Sequence, residues 1–513
     1  MVAALLTVIQ QGMAQSVSPS ERLTVLEKSG RCTLYEFNYP SVNIAGEDIV
    51  LSAAIFAWTP DDRQEGDSIE SIHIYSHATI GSNDERPTSK GFSKEQMMMN
   101  LLPNRTYSDL FAGTSANFAG RCIIIAPDYE GYGVTSHLHH PYLSQRLTAR
   151  QVMDAVEYGL KLYRQQAAEK SSDNPLLPIK SDWRMFALGY SQGAAVSLAV
   201  QRLIEEEGLS GKYHFQGSIC GDGPYDLTAT MRYYFDDDGT SYGAETDHRK
   251  GIITYPAVVP LIVRGMCETY PDLASYSIGD LLSQQLLDTG VFDWIDSKQY
   301  TTADMARMWH EQVETGVETL DRHYTPEQMA EMFDQVDDKV AGHLDKMFTP
   351  ALFDYMNDAA NFTTVPAKAA NAQQALHRAL AENSVIKGWE PQHRIQFFHS
   401  RADMVVPFGN YLAFRNAHPD GEGSLYRLND TFSSDDHMAA ATIFFLSACT
   451  AGGLASHFQW ICEGVPTGID AVRAQPATLS GQDDWYTLDG RKLNGRPTQK
   501  GVYINKGRKI FMK

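Results

Sequence analysis

The chain has 513 residues, 43% of them hydrophobic, with 43 Lys and Arg against 63 Asp and Glu, which is enough apolar material for sizeable cores and excludes a wholly disordered chain. A formal charge of -20 lacks the concentrated basic surface that phosphate neutralisation requires, so no nucleic-acid partner is expected, and the charge reads as solubility. No apolar run reaches the roughly 20 residues that span a bilayer, so no integral membrane segment is expected.

The chain starts MVAALLTVIQQGMAQS, an apolar stretch ending in a small-x-small pattern at Gly12, Met13 and Ala14. Residues 1–14 therefore read as a secretory signal peptide, although no Lys or Arg precedes Arg22, and the expected location is secreted, cell-surface or periplasmic. Six cysteines, at 32, 122, 220, 267, 449 and 462, are too sparse for a disulfide framework. Cys122 and Cys449 read as buried small hydrophobes, and one bridge among the other four stays open. His137, His139 and His140 lack a matching acidic or thiol ligand nearby, so no metal and no cofactor is expected.

From Leu34 to Thr228 short β-rich runs alternate with helical ones, the signature of an α/β sheet. The expected strands are Leu34 to Tyr39, Ile49 to Trp58, Ser71 to Tyr75, Cys122 to Ala126, Trp183 to Leu188 and His214 to Cys220. Val152, Val156, Leu160 and Tyr163 mark one face of a helix between the fourth and fifth. The run after Ser191 is helical too, and its Glu205 to Glu207 triplet reads as a solvated helix end.

Residues 229–388 break the alternation, with helical patterns and no convincing buried strand, and read as a helical cap inserted between a first core part (15–228) and a second (389–475). Thr325-Pro326-Glu327-Gln328 predicts a capped helix start carrying Met329, Met332, Phe333, Val336 and Val340 on one face. Thr301 and Asp304 open a similar helix with Met305, Met308 and Trp309. Six of the 18 Met fall between residues 301 and 356; helix–helix packing is the reading preferred over an acyl-chain pocket. The alternation resumes with a strand at Arg394 to Phe398, a helix near Tyr411 to Ala417, a strand at Leu425 to Leu428 and a helix from His437 to Cys449.

The strand ending at Leu188 runs into Gly189-Tyr190-Ser191-Gln192-Gly193, and a helix follows. A serine on so tight a strand-to-helix turn needs Gly189 and Gly193, because Cβ atoms there would crowd the facing helix and strand. A serine hydroxyl is a weak nucleophile until an adjacent base, itself oriented by an acid, takes its proton. In the chain order Ser, acid, His, the acid is Asp403, in the loop after Arg394 to Phe398, and the base is His437, before the last helix. His399 competes as base but suits loop packing. Asp435 and Asp436 compete as acid but suit capping the helix that His437 begins. The oxyanion of a tetrahedral intermediate needs two backbone N–H donors. One is expected from Gln192 and the other from Ala78 or Thr79, in the loop after Ser71 to Tyr75.

These stretches, SHATIG at 76–81, APDYEGYG at 126–133 with HPYL at 140–143, GYSQG at 189–193, CGDGPYDL at 220–227 and HSRADMVVP at 399–407, resemble the secreted lipase and esterase branch of the α/β-hydrolase superfamily. The resemblance implies a mostly parallel central sheet flanked by helices, a large helical cap insertion, and hydrolysis of a small-molecule, lipid or glycan ester. In such enzymes the oxyanion loop commonly reads His-Gly, whereas Ala78 follows His77 here. Asp128 and Tyr129 are expected to shape the mouth of the cleft. A serine peptidase of the prolyl-oligopeptidase type and a non-catalytic exported binding protein on the same scaffold remain as alternative readings.

Residues 476–513 differ in composition, with eight basic residues and one acidic from Trp485 onward. Asp489-Gly490 and Lys506-Gly507 separate short alternating runs, Tyr486 to Leu488, Val502 to Ile504 and Ile510 to Met512, so a small β tail of hairpins is expected. This ending resembles the final part of the C-terminal sorting domain that directs Bacteroidota proteins through type-nine secretion, which implies the secretion machinery as a partner.

Overall fold

The structure, a computed structural model, describes residues 17–29, 32–61, 63–89, 121–171, 173–236, 246, 248–316, 324–336, 339–429, 436–445, 451–464, 485–487, 492–493, 498, 501–505 and 508–512. The signal segment 1–14, Asp435 and Cys449 lie outside them. The chain divides into two units, one ending at Gly464 and one starting at Val465.

The first unit is built on nine strands: β1 (Thr24–Ser29), β2 (Cys32–Val42), β3 (Asp48–Trp58), β4 (Ile69–Ser76), β5 (Cys122–Pro127), β6 (Ile179–Tyr190), β7 (Phe215–Gly221), and, after an insertion that carries β8 (Ile252–Ile253), β9 (Phe333–Val336) and β10 (Lys339–His343), β11 (Arg394–Phe398) and β12 (Tyr426–Asn429). Their order in the sheet is β1-β2-β3-β5-β4-β6-β7-β11-β12. Pairing is antiparallel from β1 to β5 and parallel from β5 to β12. The central strand β5 (CIIIAP) is buried along its whole length and reads as a continuous apolar run because both faces are covered. On one face Ile72, Ile74, Ile123 and Ile125 pack against Val152, Val156, Leu160 and Tyr163 of the helix Gln145–Ala167. The alternate residues Tyr75, Ile124, Phe186 and Leu188 meet Phe444, Phe458 and Ile461 on the other. Polar β1 (TVLEKS) was not expected; it is an edge strand paired only with β2.

Glu205 is a correction. It is buried, and it accepts bonds from Trp389 Nε1, Gln392 N, His393 N and His393 Nδ1 at 2.9–3.0 Å. The carboxylate thus ties the end of the helix Gln192–Glu206 to the chain returning toward β11, and is not a solvated helix end.

The insertion between β7 and β11 has its own apolar core, centred on Trp294, Trp309, Phe333 and Leu344. The helices Thr302–Thr315 and Pro326–Met332 open on capping boxes, Thr301 with Asp304 and Thr325 with Gln328. The second of these helices stops at Met332 and the chain turns extended, forming a three-stranded sheet β8-β10-β9. This corrects the helical face drawn through Phe333, Val336 and Val340: Val340 pairs with Gln335 across an antiparallel ladder that three strands stabilise, which a helical period cannot reveal. Met305, Met329, Met332, Met347 and Met356 are buried in this core, with Met308 packed against it.

The five described cysteines are free, and Cys32, Cys122 and Cys220 are buried in strands. No helix among the described residues is long and apolar enough to cross a membrane. The second unit is an antiparallel sheet, β14-β13-β15-β16, of β13 (Trp485–Thr487), β14 (Lys492–Leu493), β15 (Gly501–Asn505) and β16 (Arg508–Met512). The turn residues Asp489-Gly490 and Lys506-Gly507 lie outside the described residues.

Candidate active site

The strand register sets the site. Tyr190 pairs with Gly221, Gly221 with Phe398, and Phe398 with Asn429. Four parallel strands therefore end level, and the residues that follow leave the sheet along one rim, the edge where ligands meet open α/β sheets.

Ser191 sits between β6 and the helix Gln192–Glu206 at φ 54°, ψ -125°, a conformation costly for a residue with a Cβ and held only where the surroundings over-determine it. Its N–H donates to the Gly221 carbonyl at 2.8 Å. A Cβ on Gly193 would overlap the Ser76 carbonyl, and one on Gly189 would overlap the Gly193 carbonyl. Both glycines are needed because strand, turn and helix meet here backbone to backbone.

His437 is the first residue of the helix His437–Ile443, whose N-cap Asp436 accepts from the Met438 and Ala439 N–H groups. Its Nδ1–H donates to Asp403 Oδ2 at 2.6 Å, and its Nε2 lies 3.0 Å from Ser191 Oγ. The other Asp403 oxygen, Oδ1, accepts from Val405 N and Val406 N, both at 2.8 Å. With Nδ1 carrying the proton toward the carboxylate, Nε2 offers its lone pair to the serine hydroxyl. Tyr190 Oη donates to the His437 carbonyl at 2.7 Å and holds the backbone that carries the imidazole. Thus Ser191, Asp403 and His437, separated in sequence, are brought into one hydrogen-bonded chain. His399 is fully buried and donates from Nε2 to the Val406 carbonyl at 2.8 Å; burial pushes its pKa down to about 4, so it is a neutral brace of the acid loop.

Gln192 N lies in the first turn of its helix, where an N–H has no acceptor within the helix. Ala78 and Thr79 both line the cavity beside Ser191. Behind them His77 donates from Nδ1 to the Ala78 carbonyl at 2.7 Å and stacks on Tyr129 with ring centres 3.9 Å apart. Asp128 is fully buried and accepts from Ser52 Oγ, Thr88 N and Thr88 Oγ1 at 2.6–2.9 Å; desolvation, outweighing these bonds, raises its pKa to about 6. Asp128 thus ties β3 to Thr88 and Tyr129 packs behind His77; neither lines the cavity, correcting their placement at its mouth.

In the sequence His140 is a weak metal-ligand candidate and the first residue of HPYL. It instead accepts from Gln192 Nε2 at 2.8 Å and donates from Nδ1 to the Glu130 carbonyl at 2.7 Å. Burial, with Lys298 nearby, pushes it down to about 3, which keeps Nε2 an acceptor that fixes the Gln192 side chain. His139 pairs with Glu268 and Asp296. Among the described residues, the one group with metal-ligand spacing is Asp222, His399 and Asp403, and both Asp403 oxygens are already committed.

Ser191 and His437 open on a cavity of about 510 Å³. Its walls are mostly apolar: Ile80, Leu143 and Val406 from the sheet side, and Leu227, Val258 and Ile262 from the insertion. None of the six methionines between 301 and 356 lines it, so core packing is their role. Glu85 is the charged residue in the wall; its Oε2 accepts from Gly81 N and Ser82 N at 3.0 and 2.9 Å, and burial raises its pKa.

No protein-family model matches the sequence, and no curated protein does. Solved structures do. The rice cell wall degrading esterase LipA from Xanthomonas oryzae superposes with a TM-score of 0.52 at 18% identity, over 87% of this chain and 92% of that one. Candida antarctica lipase A in its closed state superposes with a TM-score of 0.51 at 13% identity, over 87% of this chain and 82% of that one. Sheet order, rim and superpositions agree: the chain has the α/β-hydrolase fold, with a large helical cap inserted before β11 and a small β tail at its C-terminal end.

Proposed function

We propose that the protein is a serine hydrolase of carboxylic esters. The observation that carries this reading is the hydrogen-bonded chain from Ser191 Oγ through His437 to Asp403 at the mouth of an apolar cavity. Ser191 attacks the ester carbonyl as its proton passes to His437 Nε2. Asp403 keeps the imidazole in the required tautomer and stabilises its positive charge. Gln192 N–H, with Ala78 or Thr79 N–H, receives the oxyanion. The imidazolium then protonates the leaving alcohol, and water activated by the same histidine releases the acyl group. The cavity wall takes the apolar part of a small-molecule, lipid or glycan ester. The structural neighbours, an esterase and a lipase, support the same reaction class.

Ser191→Ala decides the matter. Hydrolysis of p-nitrophenyl butyrate by the variant is expected to fall by about 10⁴-fold or more, and a fluorophosphonate probe that labels the parent should not label it. Full activity in the variant would overturn the reading. We further read the protein as exported, with residues 476–513 addressing it to a secretion machinery. Deleting that tail should then keep the enzyme with the cells and out of the medium.

A further inference from the structure

The row of level strand ends places a second acid beside Asp403. Asp222 follows Gly221 directly, as Ser191 follows Tyr190 and His399 follows Phe398. It is 1% exposed, at φ 42°, and its N–H donates to the Phe398 carbonyl at 2.9 Å. Oδ1 accepts from Ser400 N at 2.8 Å, whereas Oδ2 is buried with no hydrogen-bond partner. An oxygen of Asp222, an oxygen of Asp403 and a ring nitrogen of His399 all lie within 4.8 Å of one another.

Two ionised carboxylates this close in a dry interior repel strongly, and one proton between them relieves the repulsion. The titratable groups facing Asp222 supply no positive charge. His399, with Nε2 3.9 Å from Asp222 Oδ1, is neutral and spends its N–H on Val406. Tyr190, which donates to the His437 carbonyl, also reaches the Asp222 carboxyl and offsets part of the rise, and Tyr225 is a buried phenol. The proton's location follows from the donors. Asp403 accepts from Val405 N, Val406 N and His437 Nδ1, which occupies both of its oxygens, while the Oδ2 of Asp222 meets no donor within hydrogen-bond distance and has room for a proton.

We propose that Asp222 is a positioning residue that carries the pair's one proton on Oδ2 and backs the Asp403 carboxylate, leaving Asp403 as the charged partner of His437. In agreement, burial first and the field of Asp403 second hold the Asp222 carboxyl well above its ordinary range. Asp222 touches no reacting atom; it acts through Asp403. The role rests on the triad reading, but the proton can be detected without turnover.

Asp222→Asn is the isostere of a neutral carboxyl, offers an N–H donor on the same side, and tolerates positive φ. In the full chain at about pH 8, where ordinary carboxyls are ionised, the parent should show the infrared carbonyl stretch of a protonated carboxyl, and Asp222→Asn should lose it. Asp222→Asn should keep kcat/KM for p-nitrophenyl butyrate within about threefold, whereas Asp222→Ala should lose about 10- to 100-fold in kcat with KM little changed. Absence of the stretch in the parent, or an Asn variant as impaired as Asp403→Asn, would overturn the proposal. Should the Ala variant not fold, the spectrum and the Asn variant decide between them. If Ser191→Ala proved fully active, the hydrolase reading would fail while the spectrum still located the proton.

Discussion

The cavity has two walls of different construction. On the sheet side, strand ends and loops meet backbone to backbone: Gly193 against the Ser76 carbonyl, Ser191 N–H on the Gly221 carbonyl, and Asp403 held by two loop amides. On the insertion side, large side chains fill the core behind the wall, Trp309 stacked on Phe333 with ring centres 4.6 Å apart and Trp294 at 5.7 Å from Trp309. Backbone contacts have no slack, whereas packed side chains re-adjust in part when one is changed. The proposed chemistry therefore sits on the wall held backbone to backbone.

The largest effect should come from the first wall. Asp403→Asn keeps the shape but removes the charge that selects the His437 tautomer, and kcat should fall about 10⁴-fold with the melting temperature nearly unchanged. Comparable activity in this variant would show that another group, Asp222 first, orients the ring. Gly193→Ala comes next. Its methyl meets the Ser76 carbonyl at the end of β4 and the His77 carbonyl just after it, both backbone, so destabilisation of about 4 kcal/mol or more is expected, read by thermal melting together with loss of probe labelling.

The same contrast explains what was legible in the sequence. GYSQG was readable because a tight turn between a strand and a helix that are neighbours in sequence calls for glycines, and β5 because a strand buried on both faces is apolar throughout. Asp436 was readable as a cap because capping is local. Asp222 was not singled out, since its meaning comes from the register of β7 with β6 and β11, which brings position 222 beside 403; its one sequence signal was to follow a strand end, as Ser191 and His399 do. Glu205 was misread for the same reason, because its partners lie at 389–393, beyond the whole insertion. The strands β9 and β10 escaped because Phe333, Val336 and Val340 fit a helical spacing as well as a strand pair.

On the insertion wall, Trp309→Ala should reduce stability by about 3–4 kcal/mol through the cavity it leaves. The folded fraction should still label at Ser191 at low temperature, with kcat/KM changed by less than about tenfold. Loss of labelling in molecules that remain folded would mean that the insertion's core positions the triad too, and the contrast between the walls would collapse.

Acid offers the finest test, because the sheet side concentrates buried neutral histidines. Burial pushes His73 and His140 down to about 3, and His77, His399 and His457 to about 4. An unfolded chain binds a proton at each near pH 6.5 that the folded chain refuses, so the stability they contribute is present above about pH 6.5 and is lost progressively as pH falls toward 3–4. His73 isolates one such group. It lies on β4 between Phe186 and Phe458, with Nδ1 unpartnered and Nε2 3.1 Å from Ser71 Oγ. His73→Phe should therefore fold and should remove one proton from the linkage. Between about pH 4 and pH 6, the dependence of urea-unfolding stability on pH should become shallower by about 1.4 kcal/mol per pH unit. An unchanged slope would mean that His73 is as protonated in the folded chain as in the unfolded one, and that the strand face around it admits water.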